Sequence, residues 1–536
     1  MAEENNVKKT FVAGAALLGV AGVLVKVLGV FFRIPLGNII GADGLGYYQT
    51  AYPMYILMLT ISSSGLPTAI SRMISERRSV GQYYEAYRVF KVSFKVMLGL
   101  GLATAVLVFI LAPWITKLQG EPNAVYALRT TVPALLLCPV MSCYRGFFQG
   151  QSKMAPTAVS QVAEQIFRVG IGLALAYLLI PKGMEHAAAG GSFGASAGAL
   201  FGLIAILFMF VRNKPNMVAE IRESGRKPVQ PVRGIVGDLL KIAVPITIGA
   251  CIMPILNWID TLIVKNVLMN QVGYTDAAAR ALYGELSGMA SPIINFPQVL
   301  TQAICLSLVP VITDAFKRDD MDFVRKNSAL GMRYAALIGL PCSVGMIVLA
   351  RPIMQLFYPT RPESIDNAAA CLVYYALGLF FLAAVHALTG VLQGIGKQGI
   401  PVRNLFIGAV VKVIVTYVLT GIPAINVKGA AIGTTCAYIV ACWLNLVAVR
   451  RYSGMKVDLK LMFIGPAISS AVMGVAVFAV YKVLSSGMGG NTVPTLASVA
   501  AGVVIYVIMV FVTRSIKLEE LSSVPGVGRL RRLFKK

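Results

Sequence analysis

Apolar segments long enough to cross a membrane recur along the whole chain, separated by short polar connections. A spanning helix needs about 20 predominantly apolar residues. The predicted spans are 10–32, 51–71, 92–112, 127–148, 157–180, 190–211, 241–264, 284–312, 327–349, 367–392, 402–421, 428–449, 461–484 and 493–513. The pattern therefore predicts an all-α integral membrane protein with about 14 transmembrane helices.

One polar turn occurs twice, after the fourth and after the tenth predicted span, at an offset of about 244 residues. In its two copies, Gly146, Gln149, Gly150, Lys153 and Arg168 align with Gly390, Gln393, Gly394, Lys397 and Lys412. Pro67 and Pro310 are a further match, about 243 residues apart. The fixed register predicts an internal repeat rather than a chance likeness between Gly-rich turns.

The repeat predicts a six-helix bundle over residues 1–211 and a second one over 241–449. Because six is an even number, both bundles enter the membrane in the same sense, as parallel repeats about an axis near the membrane normal. A basic cytoplasmic linker is predicted over 212–240 and a basic cytoplasmic tail over 515–536. The last two predicted helices, within 450–514, have no counterpart in the repeat.

The chain has a net charge of +25, only 13% charged residues and a mean hydropathy of +0.74. About 33 of its 48 Lys and Arg residues fall in the tails and on the side of the predicted membrane that the tails share. Loops rich in Lys and Arg stay inside, so the sequence predicts a membrane protein with both termini in the cytoplasm. Topology and attraction to anionic membrane lipids account for the positive charge, and we predict no nucleic-acid partner.

The residues that catalysis and metal binding commonly need are scarce. Almost all of the eight cysteines lie inside predicted helices without a C-x-x-C pair, and the histidines are only His186 and His386. No Walker motif occurs, and the glycines between Arg33 and Tyr48 lack the strand and Lys-Ser/Thr of a nucleotide loop. We predict no catalytic residue, metal or cofactor, and interpret 33–48 as an outer-leaflet turn with Tyr47 and Tyr48 at headgroup level.

Two blocks, Arg145-Gly-Phe-Phe-Gln-Gly150 and Pro156-Thr-Ala-Val-Ser-Gln-Val-Ala-Glu-Gln-Ile-Phe-Arg168, resemble the signature of the stage V sporulation protein B and YtgP group. Further matches are Gly65-Leu-Pro-Thr-Ala-Ile-Ser-Arg72, Asn257-Trp-Ile-Asp-Thr261, Leu282-Tyr-Gly-Glu285 and Val309-Pro310. That group belongs with MurJ-type lipid II flippases in the multidrug/oligosaccharidyl-lipid/polysaccharide (MOP) superfamily. The resemblance implies a MOP/MATE-like fold. It also implies alternating-access flipping of an undecaprenyl-pyrophosphate-linked sugar, such as lipid II, to the outer leaflet for cell-envelope or spore-cortex synthesis, with cell-wall enzymes as possible partners.

Charged residues inside predicted helices cost at least a few kcal/mol, so they should face a wet cavity or each other. The candidates for a cavity that holds a phosphate-bearing headgroup are Lys26, Arg33, Glu164, Arg168 and Lys412, which come from both halves. Glu164 and Arg168 are four residues apart and form either a structural pair or a cavity wall. MurJ-type relatives use cavity arginines on helices two and eight. Here helix two has no cation before Arg72 and helix eight carries Glu285, which implies a different headgroup pose.

Asp260 is the most distinctive acid of the predicted spans. The resemblance implies a monovalent-cation site in the second half, with an acid on helix seven as a ligand. Helix eleven carries Lys412 and no acid, so Asp260 is either that cation ligand or the salt-bridge partner of Lys412. The driving force is correspondingly open between a monovalent cation and the membrane potential.

The last helix pair is almost uncharged and predicts an apolar groove for a polyprenyl tail, which stays in lipid while the headgroup moves. Room for the tail is predicted at the small residues Ala471, Gly474, Ala476, Ala479 and Gly502. Bracing of the bundle and a dimer contact are the alternatives. Two other functions remain, a cation-coupled multidrug exporter of the same superfamily and a membrane glycosyltransferase. Short outer loops disfavour the transferase.

Overall fold

The computed structural model describes residues 2–224, 230–455, 460–487, 490–513 and 515, with the side chains of 2–16, 20, 26, 223, 224, 460 and 461 left undescribed. These residues form helices and their connections and no strand. Two compact units divide the chain, Met1–Met289 and Ala290–Lys536. The predicted all-α class is confirmed.

The first unit contains nine α-helices in its described part. They are α1 (Ala2–Ser63), α2 (Leu66–Ser79), α3 (Tyr83–Leu118), α4 (Val125–Thr130), α5 (Val132–Gly150), α6 (Ala155–Leu178), α7 (Met184–Ser224), α8 (Val232–Asn270) and α9 (Asp276–Tyr283). A π-helical segment, Gly284–Ala290, follows α9. The core of this unit is an aromatic and aliphatic cluster in which Phe90 packs against Phe147 and Phe210.

The second unit contains eight α-helices in its described part. They are α10 (Ser291–Lys317), α11 (Met321–Val348), α12 (Ala350–Phe357), α13 (Ile365–Gly394), α14 (Gly399–Thr420), α15 (Lys428–Ser453), α16 (Gly465–Gly487) and α17 (Thr492–Val512). A π-helical segment, Lys460–Ile464, precedes α16. The centre of this unit is α13, whose buried side chains contact α10, α11 and α15.

Every predicted span falls largely on helices, and 12 of the described helical segments are long and apolar enough to cross a membrane. The number differs from 14 for two reasons. The first two spans lie in one segment, Leu17–Ser79, and α6 is not among the apolar segments. The polar residues Glu164, Gln165 and Arg168 lower the mean hydropathy of α6.

The predicted outer-leaflet turn over 33–48 is wrong. The segment is helical, and α1 is interrupted only at Gly41, whose φ of 67° is accessible to glycine without steric cost. Leu36, Ile40 and Leu45 are buried on either side of the kink, so packing holds this segment in the bundle. Tyr47 and Tyr48 are buried as well and do not lie at a lipid-facing surface.

The second predicted span, 51–71, is interrupted where α1 ends and α2 begins. Gly65 lies against α8 so closely that a Cβ would come within 2.2 Å of the carbonyl oxygen of Ala243. The Gly65 amide donates to Thr247 Oγ1 at 3.2 Å. The break therefore results from a backbone-to-backbone contact that only glycine permits.

The polar connection predicted over 212–240 is mostly helical, because α7 continues to Ser224 and α8 begins at Val232. The boundary between the two compact units lies at 289/290, so α8 and α9 belong to the first unit. The six-helix bundles 1–211 and 241–449 stay a prediction. The predicted tail 515–536 lies outside the described residues except for Ser515, and residues 456–459 of the predicted region 450–514 are also outside them.

The repeated turns have the same packing in their own units. Gly146 and Gly150 of α5 pack on α2, and Gly390 and Gly394 of α13 pack on α10. Their neighbours Pro67, Ile70, Ser71 and Ile74 in α2 correspond to Cys305, Leu308, Val309 and Ile312 in α10, each about 238 residues later. The packing partner that corresponds to Pro67 is therefore Cys305, and the predicted match with Pro310 is wrong, because the spacing along the chain differs between the copies.

Candidate functional site

Two arginines and a tyrosine form a cationic cluster in the first unit, which we call the Arg–Tyr site: Arg33, Tyr52 and Arg168. The Cζ atoms of Arg33 and Arg168 lie 5.3 and 5.7 Å from the centre of the Tyr52 ring. Arg168 Nη2 donates to Tyr52 Oη at 3.4 Å, and Tyr48 stacks on Tyr52 with ring centres 5.4 Å apart. Neither arginine has a carboxylate of the described residues within ion-pair distance, and both are partly exposed. The site therefore carries two positive charges with no ion-pair partner among the described residues, and an anion could approach them.

The position of Arg168 follows from how α6 packs. A Cβ on Gly194 or Gly198 of α7 would come within 2.6 Å of the backbone oxygens of Arg168 and Glu164, respectively. Gly172 of α6 makes a similarly close contact with Gly194. The two backbones thus approach closely on one face of α6, which leaves the Arg168 side chain to reach Tyr52 on α1.

The predicted pair between Glu164 and Arg168 is wrong, because Glu164 pairs with Arg145 on α5 at 2.8 Å. Arg145 also donates to Ser160 Oγ at 2.8 and 3.1 Å. Ser160 Oγ in turn donates to the carbonyl oxygen of Gly202 on α7 at 3.1 Å. Glu164 is therefore part of a polar clamp across α5, α6 and α7, and its charge is neutralised there rather than at Arg168.

The other predicted cavity residues are only partly located. The side chain of Lys26 lies outside the described residues. Lys412 is half-buried on α14 in the second unit, and Asp260 is half-buried on α8 in the first. A cavity formed by both halves, and a pair between Asp260 and Lys412, therefore stay predictions. Beside Asp260, Thr261 shares a hydrogen bond of 2.7 Å with Tyr283.

An ion cluster with a buried centre, which the sequence did not reveal, joins four separate segments of the first unit. Glu121, in the connection after α3, lies 2.5 Å from Lys265 of α8 and 3.1 Å from Arg280 of α9. Arg280 also pairs with Asp43, just after the kink of α1, at 2.6 Å, and with Asp276 at 3.2 Å. Lys265 and Glu121 are 0% and 1% exposed. We call these five residues the outer ion cluster, because the connections that carry them are predicted to face outward.

Sequence reasoning missed the outer ion cluster because its charges lie at the ends of apolar segments, where single charges are ordinary. Two features of the sequence could have indicated the cluster: its charges are predicted to lie on the same side of the membrane, and they are of opposite sign. These features do not specify which acid meets which base. Apart from Arg280 and Asp276, which are four residues apart, the partners are 144 to 237 residues apart along the chain.

The two repeated turns share a backbone conformation and differ in their side chains. Ser152 and Gly396 have φ values of 58° and 77°. The amides of Lys153 and Lys397 bond back to the carbonyl oxygens of Phe148 and Leu392 at 2.9 and 2.8 Å. Lys153 Nζ donates to Asn213 Oδ1 at 2.8 Å, whereas Lys397 lies over the ring of Tyr452 at 5.4 Å. Gln149 and Gln393 precede the turns and are half-buried or exposed, respectively.

An apolar cleft of about 790 Å³ lies between α10, α11 and α17 of the second unit. Its walls include Leu300, Ile304, Tyr334, Leu337, Tyr506 and Phe511. The prediction that small residues leave space for a polyprenyl tail is wrong at two positions. Gly474 packs against Val344, and Gly502 packs against Val477. These glycines bring helices together, and the free volume lies beside the last turns of α17, at residues 506–511.

No three His, Cys, Asp or Glu side chains within the described part of the chain are grouped as a metal site would require. All eight cysteines are free thiols, five of them buried.

The chain matches the model of the family described as polysaccharide biosynthesis protein over residues 11–316, and the MatE model over 245–418. It is 28% identical to stage V sporulation protein B of Bacillus subtilis (strain 168), over 98% of this chain and 99% of that one. It is 29% identical to the lipid II flippase MurJ of the same organism, over 88% of each chain. The resemblance drawn from the residues around Arg145 and Arg168 is thus confirmed.

Solved structures share the fold. An inward closed conformation of the lipid II flippase MurJ superposes with a TM-score of 0.71 at 16% identity, covering 93% of this chain and 99% of that one. An inward-facing multidrug resistance MATE transporter of the MOP superfamily gives 0.67 at 15% identity, covering 80% and 94%. With a family model matched over more than half of its length, this chain belongs to the polysaccharide biosynthesis protein family of membrane proteins and has the fold of MOP transporters.

Proposed function

We propose that this protein is a flippase that moves an undecaprenyl-pyrophosphate-linked sugar, lipid II or a related precursor, from the inner to the outer leaflet by alternating access. The observation that carries the proposal is the Arg–Tyr site. Two guanidinium groups share one aromatic ring there without a carboxylate partner among the described residues, and a pyrophosphate could supply negative charge. The relative named as a lipid II flippase, matched over 88% of each chain, supports the same substrate class.

A multidrug exporter that takes cationic drugs would need an acidic site. Glu164 is the acid on α6 nearest in sequence to Arg168, and the Arg145 clamp neutralises it. The exporter alternative is supported by the MatE match over 245–418 and by the shared fold. The positive charge at the Arg–Tyr site favours an anionic substrate over it.

The apolar cleft in the second unit is suited to the polyprenyl tail of such a substrate. Its walls are mostly aliphatic and aromatic side chains, and the hydroxyl of Tyr506 donates to the backbone oxygen of Leu337 at 2.7 Å. A tail lying there would remain in an apolar environment, which avoids the cost of placing it beside charges. This location replaces the one predicted at Gly474 and Gly502.

The remaining elements of the proposal concern setting and energy. We place the protein in the plasma membrane of a bacterium with both termini in the cytoplasm, where the asymmetry of Lys and Arg puts them. Either the membrane potential or a monovalent cation at Asp260 drives the cycle, and no ATP is consumed. Membrane lipids surround the protein, and enzymes of cell-wall synthesis are candidate partners at either leaflet.

Complementation tests this function. The gene is expressed in cells depleted of their lipid II flippase, and lipid II in the outer leaflet is measured alongside growth. Rescue by the natural protein and failure of Arg168→Ala at equal abundance in the membrane would support the proposal. If the natural protein is present and leaves lipid II in the inner leaflet, a different lipid-linked glycan must be tested. If none is moved and cationic dyes are exported instead, the exporter is correct.

A further inference from the structure

A second cleft, of about 730 Å³, lies in the first unit where the α5–α6 turn meets α7 and the first part of α1. Its walls come from Leu17, from Phe148 and residues 152–156, and from Phe208, Met209, Arg212, Asn213 and Asn216 of α7. We call it the turn cleft. It is separate in sequence and position from the Arg–Tyr site, and the proposed transport cycle does not use it.

Apolar and polar residues follow one another along α7 in the turn cleft. Phe208 and Met209 come first, Arg212 and Asn213 follow one turn later, and Asn216 a further turn along. Each turn advances about 5.4 Å along the helix axis. The wall therefore changes from apolar to cationic to amide over roughly 12 Å, which is the order in which a phospholipid presents its acyl chain, phosphate and polar headgroup.

The two cations of the turn cleft are available to an anion. Lys153 Nζ donates a hydrogen bond to the amide oxygen of Asn213 at 2.8 Å, and both Lys153 and Arg212 are exposed. The nearest acid along α7, Glu220, is held by both Nη atoms of Arg78 at 2.7 and 3.0 Å. Across the described residues, no carboxylate lies within ion-pair distance of Lys153 or Arg212.

The predicted depth of the turn cleft in the membrane matches the level of the lipid headgroups on the cytoplasmic side. Arg212 follows the apolar span predicted to end at residue 211, and the turn at 152–154 lies on the side predicted to be cytoplasmic. Basic pockets between helices on that side attract anionic lipid headgroups. The equivalent turn of the second unit lacks this arrangement, because Lys397 and Arg451 lie over the ring of Tyr452 at 5.4 and 5.9 Å.

We propose that the turn cleft binds an anionic phospholipid of the cytoplasmic leaflet, with its phosphate between Lys153 and Arg212 and an acyl chain along Phe208. Asn213 and Asn216 would hydrogen-bond the headgroup, and the bound lipid would hold the α5–α6 turn against α7. The occupant is a lipid of the membrane itself, so this inference does not depend on which substrate is transported.

Native mass spectrometry of the full-length, delipidated protein tests this inference, with phosphatidylglycerol and phosphatidylcholine added at equal concentration. We expect the natural protein to retain phosphatidylglycerol preferentially, and the double variant Lys153→Gln, Arg212→Gln to bind it about 30-fold more weakly. The matched control Lys397→Gln, Arg451→Gln removes the same charge from the second unit and should leave that affinity within about twofold of the natural protein's.

Four results would overturn the proposal. Equal retention of phosphatidylcholine would mean that only the apolar wall matters. Unchanged phosphatidylglycerol affinity in Lys153→Gln, Arg212→Gln would place the lipid elsewhere. If the affinity falls, circular dichroism of the variant would show whether misfolding is the cause. Displacement of the lipid by inorganic phosphate at equal concentration would assign the cleft to free phosphate, and displacement by an undecaprenyl-pyrophosphate sugar would assign it to the substrate.

Discussion

The outer ion cluster and the Arg–Tyr site each hold two cations within the same unit, yet their surroundings are opposite. In the cluster, Lys265 and Arg280 meet Glu121, and Arg280 also meets Asp43 and Asp276. In the site, Arg33 and Arg168 meet an aromatic ring and no described carboxylate. A buried charge with its partner holds segments together, whereas a charge with only a π-face nearby is left to attract a ligand. The comparison teaches that the neighbours of a charged residue, rather than its residue type, distinguish a structural role from a ligand-binding role in this protein.

The largest expected effect is on the stability of the first unit. Glu121→Ala leaves Lys265 and Arg280 buried without their shared acid, and removing one partner of a buried pair costs about 3–5 kcal/mol. Thermal unfolding of the purified protein in detergent would measure the loss. The exposed pair Asp314–Arg318, with side chains 64% and 73% exposed, provides the control, and Asp314→Ala should cost less than about 1 kcal/mol. Equal losses in both variants would contradict the structural role of the cluster.

The next effect is on transport rather than on stability. Arg168→Ala should reduce flipping about 10- to 100-fold, because a charge-assisted hydrogen bond contributes about 1.5–3 kcal/mol. Its unfolding temperature should stay near that of the natural protein, since Arg168 bridges no acid in the described structure. Arg168→Lys should restore part of the activity, because it keeps the charge and loses the bidentate fork. A drop in stability as large as that of Glu121→Ala would remove the distinction between the two regions.

The Arg145–Glu164 clamp should give an intermediate result. Glu164→Gln keeps the side-chain shape and leaves Arg145 with Ser160 as partner, so we expect a loss of about 1–3 kcal/mol in stability. Flipping by the surviving protein should be unchanged, because Glu164 is paired away from the Arg–Tyr site. Were Glu164→Gln to abolish flipping at full abundance, Glu164 would belong to the site after all.

The smallest effect concerns the repeated turns. Ser152 has a positive φ, which glycine adopts more easily, so Ser152→Gly should raise stability by about 0.5–1 kcal/mol. The reverse change in the other copy, Gly396→Ser, should lower it by a similar amount. Chemical denaturation would measure the free energy of unfolding of both variants. If the two turns are conformationally equivalent, the two substitutions must change that free energy in opposite directions.

The sequence by itself determined the helical class, the positions of the spans and the family resemblance. Each of these depends on local information: the hydropathy of about 20 neighbouring residues, or the residue order around Arg145 and Arg168. It also marked Arg33 and Arg168 as charges needing an explanation. The repeat register around Gly146 and Gly390 was visible for the same reason, since close helix contacts demand glycine at fixed spacing.

Tertiary structure decided everything that depends on partners distant in sequence. In the structure Glu164 pairs with Arg145, and Arg168 donates to Tyr52. The Cζ atom of Arg280 lies 4.3 Å from the centre of the Tyr47 ring. The i, i+4 spacing of Glu164 and Arg168 permits an ion pair. Which partner a side chain meets, however, depends on which neighbouring helix packs beside it. The sequence could state that charges in a membrane need partners, because that follows from the cost of burying them. Which partners they find depends on the packing of helices that are far apart along the chain.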